Sequence, residues 1–515
     1  MLAKVNTGTV LGVEGFWIET EVDLAPGIPC FQVVGLPDAA VNEAKERVRA
    51  AIRNSGYEFV PRRITVNLAP ADLRKVGPLF DLPMAIGFLV ASGQLESPHL
   101  NDYLVVGELA LDGHIRPVNG CLSLALLAAQ RGFRGIVVPA VNAPEAALVD
   151  HIEVHGVESL AQCAAILQDP AAHPACQKKH PSSLPLSNGI EGDFAEVKGQ
   201  VRAKRALEIA AAGGHNILLV GPPGSGKTML AQRLPGILPA PDFQEALEIT
   251  KLHSVAGLLQ TTDGLITQRP FRAPHHSITS AGLIGGTSQL RPGEISLAHH
   301  GVLFLDELPE FRRDVLEQMR QPLEEGSLTI AKAARALRYP AQITLVAALN
   351  PCPCGYLGDT RIPCRCAPMQ AQRYRARLSG PLLDRIDLQV EVRRLNDTEL
   401  LEHQESEASI SIRERVTRAR TIQKARMASK AGPAANARLN TQGLRQHCQL
   451  DREGRQMLRE TVQHLALSGR SHDRILKVAR TIADLEQSAM IQAAHLAEAI
   501  TYRLLDTCTL EPGFN

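Results

Sequence analysis

Three short stretches of this chain end in residues suited to chemistry. The apolar run Ile217-Leu218-Leu219-Val220 passes into Gly221-Pro222-Pro223-Gly224-Ser225-Gly226-Lys227-Thr228 and then into the helical Met229-Leu230-Ala231-Gln232-Arg233-Leu234. This is G-x-x-x-x-G-K-[ST] in its strand, loop and helix context. The glycines let successive backbone N–H groups turn toward phosphate oxygens, and the helix N-terminus adds a favourable dipole. Lys227 can reach the β- and γ-phosphates and Thr228 can ligate Mg²⁺. A second apolar run, Val302-Leu303-Phe304-Leu305, ends in Asp306-Glu307. Two acids closing an apolar strand are costly unless they have work to do. Beside a phosphate loop, Asp306 can hold Mg²⁺ through water while Glu307 polarises the attacking water. A third run, 343–349, ends at Asn350, which suits orienting that water or contacting the γ-phosphate, and which taken alone reads equally as a turn residue. Together they indicate ATP hydrolysis with Mg²⁺.

Four of the ten cysteines crowd into Cys352-Pro353-Cys354, nine intervening residues, and Cys364-Arg365-Cys366. Two short knuckles with four thiolates suffice for a closed tetrahedral Zn²⁺ site, although each pair is one residue tighter than the usual zinc ribbon. The other reading is four ordinary loop cysteines, which as an exposed cluster would oxidise readily. The adjacent His275-His276 is not taken as a metal pair, because neighbouring side chains on a regular element point apart.

These residues need elements to hold them. At roughly 100–200 residues per domain, 515 residues imply about three domains, each burying a core. Residues 1–167 mix β-branched runs such as 64–68 and 135–138 with helical stretches such as 42–55, an α/β unit. A proline-rich linker follows at 168–190. The segment 191–392 alternates strands and helices in the manner of a parallel sheet covered by helices. Residues 393–515 read as helices near 410–429, 451–466, 473–487 and 493–505. Nothing resembles a signal peptide and no apolar run approaches the ~20 residues of a bilayer span, so a cytoplasmic protein without a membrane partner is expected. The balance of 55 Lys+Arg against 54 Asp+Glu gives +1, with 44% hydrophobic and 21% charged residues, which excludes a disordered or uniformly basic chain. Counted by segment the charge is uneven. Residues 361–383 carry five arginines and no acid, and 411–480 carry 16 basic residues against 5 acidic ones. Such stretches can track a phosphate backbone or be merely solvated.

The run 292–308, Pro-Gly-Glu-Ile-Ser-Leu-Ala-His-His-Gly-Val-Leu-Phe-Leu-Asp-Glu-Leu, resembles the magnesium-chelatase-like branch of AAA+ ATPases. So do Asn350-Pro351-Cys352-Pro353-Cys354-Gly355 and Leu378-Ser379-Gly380-Pro381-Leu382-Leu383-Asp384-Arg385-Ile386-Asp387. Over nearly its whole length the chain is similar to the YifB/ComM group. That resemblance implies a hexameric, ATP-driven helicase promoting branch migration of single-stranded and branched DNA in natural transformation. It makes Asn350 sensor 1 and Arg385 an arginine finger reaching a neighbouring subunit, unless Arg385 pairs structurally with Asp384 or Asp387. It points to Arg474, or else Arg470, as sensor 2, in a C-terminal helical lid, and it turns part of 271–286 toward the ring's pore.

Residues 74–85 and 107–124 resemble the Lon-protease fold. Lon catalysis needs a Ser nucleophile and a Lys base, but Leu79 and Leu122 stand at those positions, so the resemblance implies a domain without peptidase activity. Two other functions remain to be weighed: a motor subunit inserting Mg²⁺ into a porphyrin, and a chaperone-like ATPase remodelling proteins.

Overall fold

The computed structural model describes residues 1–177, 192–259, 264–286, 291–332, 335–359, 361–396, 399, 406–427, 435–464 and 468–503. Its first unit is a seven-stranded mixed sheet. β1 (Leu2–Leu11) and β2 (Glu14–Ala25) form a long hairpin, β4 (Arg63–Ala69) pairs antiparallel to β2, and β3 (Cys30–Val34) lies parallel to β4 at one edge. On the other side β5 (Tyr103–Val105), β6 (Gly135–Pro139) and β7 (Glu153–Val157) continue parallel to β1, giving the order β3-β4-β2-β1-β5-β6-β7. Helix α1 (Ala39–Asn54) starts at an Asp38 cap whose carboxylate accepts the Val41 N–H at 2.9 Å. Helix α2 (Asp81–Ala91) is apolar all round, and all but one of its residues are buried, because it sits between α1 and the sheet. Helix α3 (Cys121–Arg131) packs against β2 and β6.

A charge pair is held inside this unit. Asp81 has no exposed side-chain surface and meets Arg47 of α1 through two contacts, Nε to Oδ2 at 2.6 Å and Nη2 to Oδ1 at 3.1 Å. Burial raises the Asp81 carboxyl to about 6 even with the guanidinium beside it.

The second unit is a five-stranded, all-parallel sheet. Its strands are β8 (Ile217–Val220), β9 (Phe271–Arg272), β10 (Val302–Leu305), β11 (Thr344–Leu349) and β12 (Leu388–Glu391), in the order β9-β10-β11-β8-β12. Strands covered on both faces carry continuous apolar runs instead of an alternation, as expected for the 191–392 segment. Around them lie α4 (Val201–Gly213), α5 (Lys227–Ile237) and α6 (Phe243–Ala256). Helix α6 is set by an Asp242–Glu245 capping box and stopped by Gly257 at φ +73°. It also joins the two units. Ser254 Oγ donates to the buried Glu145 carboxylate at 2.5 Å and accepts the Gly120 N–H at 3.1 Å.

The C-terminal helices are α7 (Ser409–Met427), α8 (Thr441–His447), α9 (Arg452–His464), α10 (Gly469–Leu485) and α11 (Ala493–Thr501). Four of them answer the helices expected near 410–429, 451–466, 473–487 and 493–505; 428–429, 465–466 and 504–505 fall outside the described residues, and the third helix ends at Leu485. These helices do not enclose a core of their own. Val416, Ala479 and Ile482 belong to the same buried cluster as Leu207, Ile217 and Val390 of the parallel sheet and its helices. The stretch expected as a linker is described only as far as 177, with a short turn at Pro170–Ala172. Among the described residues no helix is long and apolar enough to cross a membrane.

Removing one partner of a buried ion pair leaves the other charge uncompensated. Arg47→Ala should therefore cost about 3 kcal/mol at pH 7.5, where Asp81 is ionised. The loss should be clearly smaller at pH 5, where Asp81 binds a proton and needs no partner. Denaturant unfolding at the two pH values measures this, and equal losses at both would refute the role given to Asp81.

Candidate functional site: the phosphate loop and its opposite edge

Strand β8 delivers the loop 221–226 at the C-terminal edge of the parallel sheet, the edge where such folds bind ligands. Gly221 must be glycine for space, since a Cβ there would stand 2.1 Å from the Val392 carbonyl oxygen. Gly224 and Gly226 must be glycine for conformation, at φ +74° and +92°, and nothing lies within 4 Å of the Cβ either would carry. The loop thus opens a concave backbone surface at the start of α5. The buried Ser225 hydroxyl has no protein partner. Open glycines, a helix N-terminus and an unspent hydroxyl fit a triphosphate.

Lys227 is nearly buried, and its Nζ donates to Gly221 O and Pro222 O at 2.8 Å and to Asn350 Oδ1 at 3.2 Å. Burial lowers its pKa, and the nearby Asp306 and Glu307 oppose that. Thr228 Oγ1 donates to Asp306 Oδ2 at 2.8 Å, so the hydroxyl and carboxylate that would share Mg²⁺ already meet. Asp306 is oriented in turn, its Oδ1 accepting the Glu307 N–H at 2.9 Å. Glu307 follows the strand in a left-handed conformation, φ +52°, with its side chain half exposed. Phosphate loop, paired acids and Asn350 thus converge as the sequence requires.

Two neighbours were not foreseen. Gln200, at φ +54° and 6% exposed, donates through Nε2 to Ser225 O at 3.2 Å and to Arg393 O at 2.7 Å, tying the entry to α4 onto the loop. Only the Gly199-Gln200 pair before a helix hinted at it. His276 Nδ1 lies 3.5 Å from Glu307 Oε2. The expectation that His275 and His276 diverge is incorrect, because they occupy a turn and their rings sit 4.0 Å apart. Their nitrogens turn to Ser277 and Glu307, not to a shared point.

The four clustered cysteines do converge. Cys352 Sγ lies 3.4 Å from Cys354 Sγ and 3.6 Å from Cys364 Sγ, and Cys354 Sγ lies 3.6 Å from Cys364 Sγ. All four thiols are free of disulfides and lie within 4.8 Å of one another. A Zn–S bond of ~2.3 Å places tetrahedral sulfurs about 3.8 Å apart, so the donor set fits Zn²⁺. A second candidate cluster, Glu248 with His299 and His300, was not anticipated. His299 Nδ1 accepts the Gln342 N–H at 2.9 Å, which puts its proton on Nε2, and that Nε2–H faces Glu248 at 2.9 Å. A nitrogen already holding its proton offers no lone pair to a metal. Burial keeps His299 neutral, with a pKa near 4.

Arg385 and Arg474 lie elsewhere. Asp387 and Asn216 immediately precede β12 and β8, so this group occupies the N-terminal edge of the sheet, the end remote from the phosphate loop. Arg385 is buried and bonds to Pro381 O at 2.5 Å and to the carboxylate of Glu324; neither Asp384 nor Asp387 is its partner. Arg474 Nη1 meets Asp387 Oδ1 at 2.6 Å. Burial alone would raise the Asp387 carboxyl, but Arg474, His215 and the Asn216 N–H hold it near 2. Arg470 is 62% exposed and lies 3.9 Å from Glu324, the residue that also holds Arg385.

Part of the basic stretch 411–480 is spent inside the chain, while Arg418, Arg445, Arg452 and Arg459 are exposed. Arg415 pairs with Glu208 and Glu407, Arg426 and Arg480 with Asp484, and Lys424 with Asp242, while Arg413 and Arg420 cap the carbonyls of Gly236 and Ala211. Within 361–383, Arg375 and Arg377 are engaged by Pro351 O and Glu310, and Arg365 and Arg373 remain exposed. In the first unit Leu79 and Leu122, at 8% and 0% exposure, are core residues.

Fold and site define a P-loop nucleotide-binding protein. The magnesium chelatase subunit ChlI family matches residues 193–400, the family of the ChlI subunit of Mg-chelatase matches 20–142, and the ChlI C-terminal family matches 406–503. The chain is 44% identical over 512 residues to the YifB protein of Salmonella typhimurium, covering 98% of this chain and 97% of that one. It is 44% identical over 508 residues to YifB of Escherichia coli, at the same coverage. It is 45% identical over 508 residues to the competence protein ComM of Haemophilus influenzae, covering 98% of each. The chain belongs to the YifB/ComM family of magnesium-chelatase-like AAA+ proteins.

Arg474 and Arg470 should separate by experiment. Arg474→Met strands the buried Asp387 charge and should lower stability by about 3 kcal/mol. Arg470→Ala removes a mostly exposed group and should change stability by less than about 0.5 kcal/mol. Equal melting temperatures for both variants would contradict the assignment of Arg474 to the Asp387 pair.

Proposed function

We propose that the protein is a ring-forming ATPase, a hexamer, that hydrolyses ATP to drive branch migration of DNA recombination intermediates in the cytoplasm, as in natural transformation. The observation that carries the assembly is the division of charge between the two edges of one parallel sheet. Lys227, Thr228, Asp306, Glu307 and Asn350 gather at one edge, and Arg385 and Arg470 gather around Glu324 at the other. A chain built this way supplies the phosphate cradle and, to a neighbour, the arginines, so the full site forms between subunits. Thr228 and Asp306 would hold Mg²⁺, which would supply positive charge against the phosphates. Lys227 grips the β- and γ-oxygens, Glu307 takes the proton of the attacking water, and Asn350 fixes that water's position. Arg385 would act as the finger. Arg474, or else Arg470, would serve as sensor 2.

The remaining parts follow the same reading. Residues 1–167 form a Lon-like domain without peptidase, since Leu79 and Leu122 can neither attack nor accept a proton. Residues 191–392 are the ATPase core and 393–515 the helical lid. Cys352, Cys354, Cys364 and Cys366 hold a structural Zn²⁺. The DNA partner, single-stranded and branched, is supported by the competence role in the name of the Haemophilus relative and by the exposed Arg365 and Arg373.

Purified protein should contain about one zinc per chain, measured by elemental analysis. Wild-type protein should migrate the branch of a three-stranded DNA intermediate with ATP, and Lys227→Ala should not; normal migration by that variant would defeat the ATP-motor reading. Stimulation of ATPase by a porphyrin-binding chelatase subunit or by unfolded protein, and not by branched DNA, would replace DNA as the substrate. Lys227→Ala and Arg385→Ala proteins should each be inactive alone and regain ATPase when mixed, because some interfaces then pair an intact cradle with an intact arginine. Failure to regain it would place Arg385 outside the shared site.

A further inference from the structure

The cysteine knuckle is built directly onto the phosphate loop. Gly355, one residue beyond Cys354 and at φ +85°, lies against Pro223, and a Cβ on it would stand 2.5 Å from Pro223 Cδ and 2.8 Å from Pro223 Cγ. On its other side the knuckle begins immediately after Asn350, whose Oδ1 accepts from Lys227 Nζ at 3.2 Å. Cys352, two residues past Asn350, is fully buried, and Arg375 Nε fixes the intervening Pro351 carbonyl at 3.1 Å. The four sulfurs are therefore joined to the nucleotide site twice, by the Gly355–Pro223 contact and by the backbone to Asn350.

Between Leu349 and Pro368 the described residues form turns and bends, with no helix or strand to stiffen them. A segment of this kind holds one shape only if something links it across, and four thiolates on one metal ion do so. We propose that the metal held by Cys352, Cys354, Cys364 and Cys366 sets the conformation of the phosphate loop and of Asn350, so that affinity for ATP depends on the metal. This rests on the zinc reading given above. The centre then regulates the nucleotide site as well as closing a surface loop: loss of the ion frees Gly355 from Pro223 and lets Asn350 leave Lys227, while the sheet and its core are untouched.

The test uses the full-length protein and a fluorescent ATP analogue. Zinc is removed with a strong chelator, and zinc content, far-UV circular dichroism and Kd are followed together. The Kd is expected to rise about fivefold or more, with the dichroism unchanged, and to return when zinc chloride is added. Unchanged Kd in folded, zinc-free protein would overturn the proposal. Should stripping unfold the chain, Gly355→Ala decides. It keeps all four thiolates but forces a methyl into Pro223, and it should bind zinc at the wild-type ratio with a Kd again raised about fivefold; a wild-type Kd there would overturn the coupling. Pro223→Ala, which removes one of the two links, should make the Kd less sensitive to zinc removal than in the wild type; full wild-type sensitivity would overturn the part given to the Gly355–Pro223 contact. Protein that never contains zinc would instead refute the zinc reading itself.

Discussion

All five strands of the nucleotide sheet run the same way, and the rest of the molecule answers to that polarity. The loops that leave the strands gather at one edge: the phosphate loop after β8, Asp306-Glu307 after β10 and Asn350 after β11. The residues that enter the strands gather at the other: Asn216 before β8, His299-His300 before β10 and Arg385 to Asp387 before β12. The strands keep the two sets apart by about 3.3 Å per residue. No side-chain rearrangement within one chain carries Arg385 to its own Lys227. The separation of Arg385 from the phosphate loop is therefore a property of the topology and not of any one residue.

The entering edge is also where the chain spends its buried charge. Asp387 lies inside the protein, accepting from Arg474 and the Asn216 N–H and facing His215, whose Nε2 reaches Thr481 at 2.8 Å. Arg426 and Arg480 likewise converge on the buried Asp484, and Asn436 Nδ2 donates to the same carboxylate at 2.7 Å. Such groups gain little stability over apolar packing, but they tolerate only one arrangement of their partners. They fix the C-terminal helices to the sheet in a single register. Within 411–480 these pairs draw Arg426, Arg474 and Arg480 inward while Arg418, Arg445, Arg452 and Arg459 stay exposed, so the near-zero net charge of the whole chain says little about local surfaces.

The parts of this structure that were legible in the sequence are those whose chemistry is local. A strand passing into glycines and a lysine, a strand closing in two acids, and cysteines paired at short spacing each carry their meaning within a few residues. Parallel strands buried on both faces and amphipathic C-terminal helices also announce themselves by pattern. What escaped depends on tertiary approach or on turn geometry. The partner of Arg385 is Glu324, far away along the chain, where nearby aspartates had seemed the natural choice. His275 and His276 lie side by side because their segment is a turn, so a rule for regular elements misplaced them. Gln200 reaches Ser225 and Arg393 only because it adopts a left-handed conformation. The C-terminal helices looked sufficient for a separate core, yet their apolar faces are completed by α4 and the sheet.

The same physics explains how the two large units are joined. Helix α6 presents different faces to different neighbours: Glu245 and Glu248 meet Arg269 and the His299-His300 pair at the sheet edge, and Ser254 meets Glu145 in the first unit. Burial raises the Glu145 carboxyl, and the Ser254 and Asn142 donors work against that rise. A carboxylate desolvated between two units is costly unless each donor stays in place. Any rotation of one unit against α6 would strand it. Lys251 on the same helix adds an ion pair to Glu14 at 2.9 Å, and Val13 completes an apolar cluster with Leu252 and Leu303. The first unit is therefore attached to the helix that precedes the 271–286 segment by a buried hydrogen-bonded carboxylate, an ion pair and an apolar contact, all on one helix.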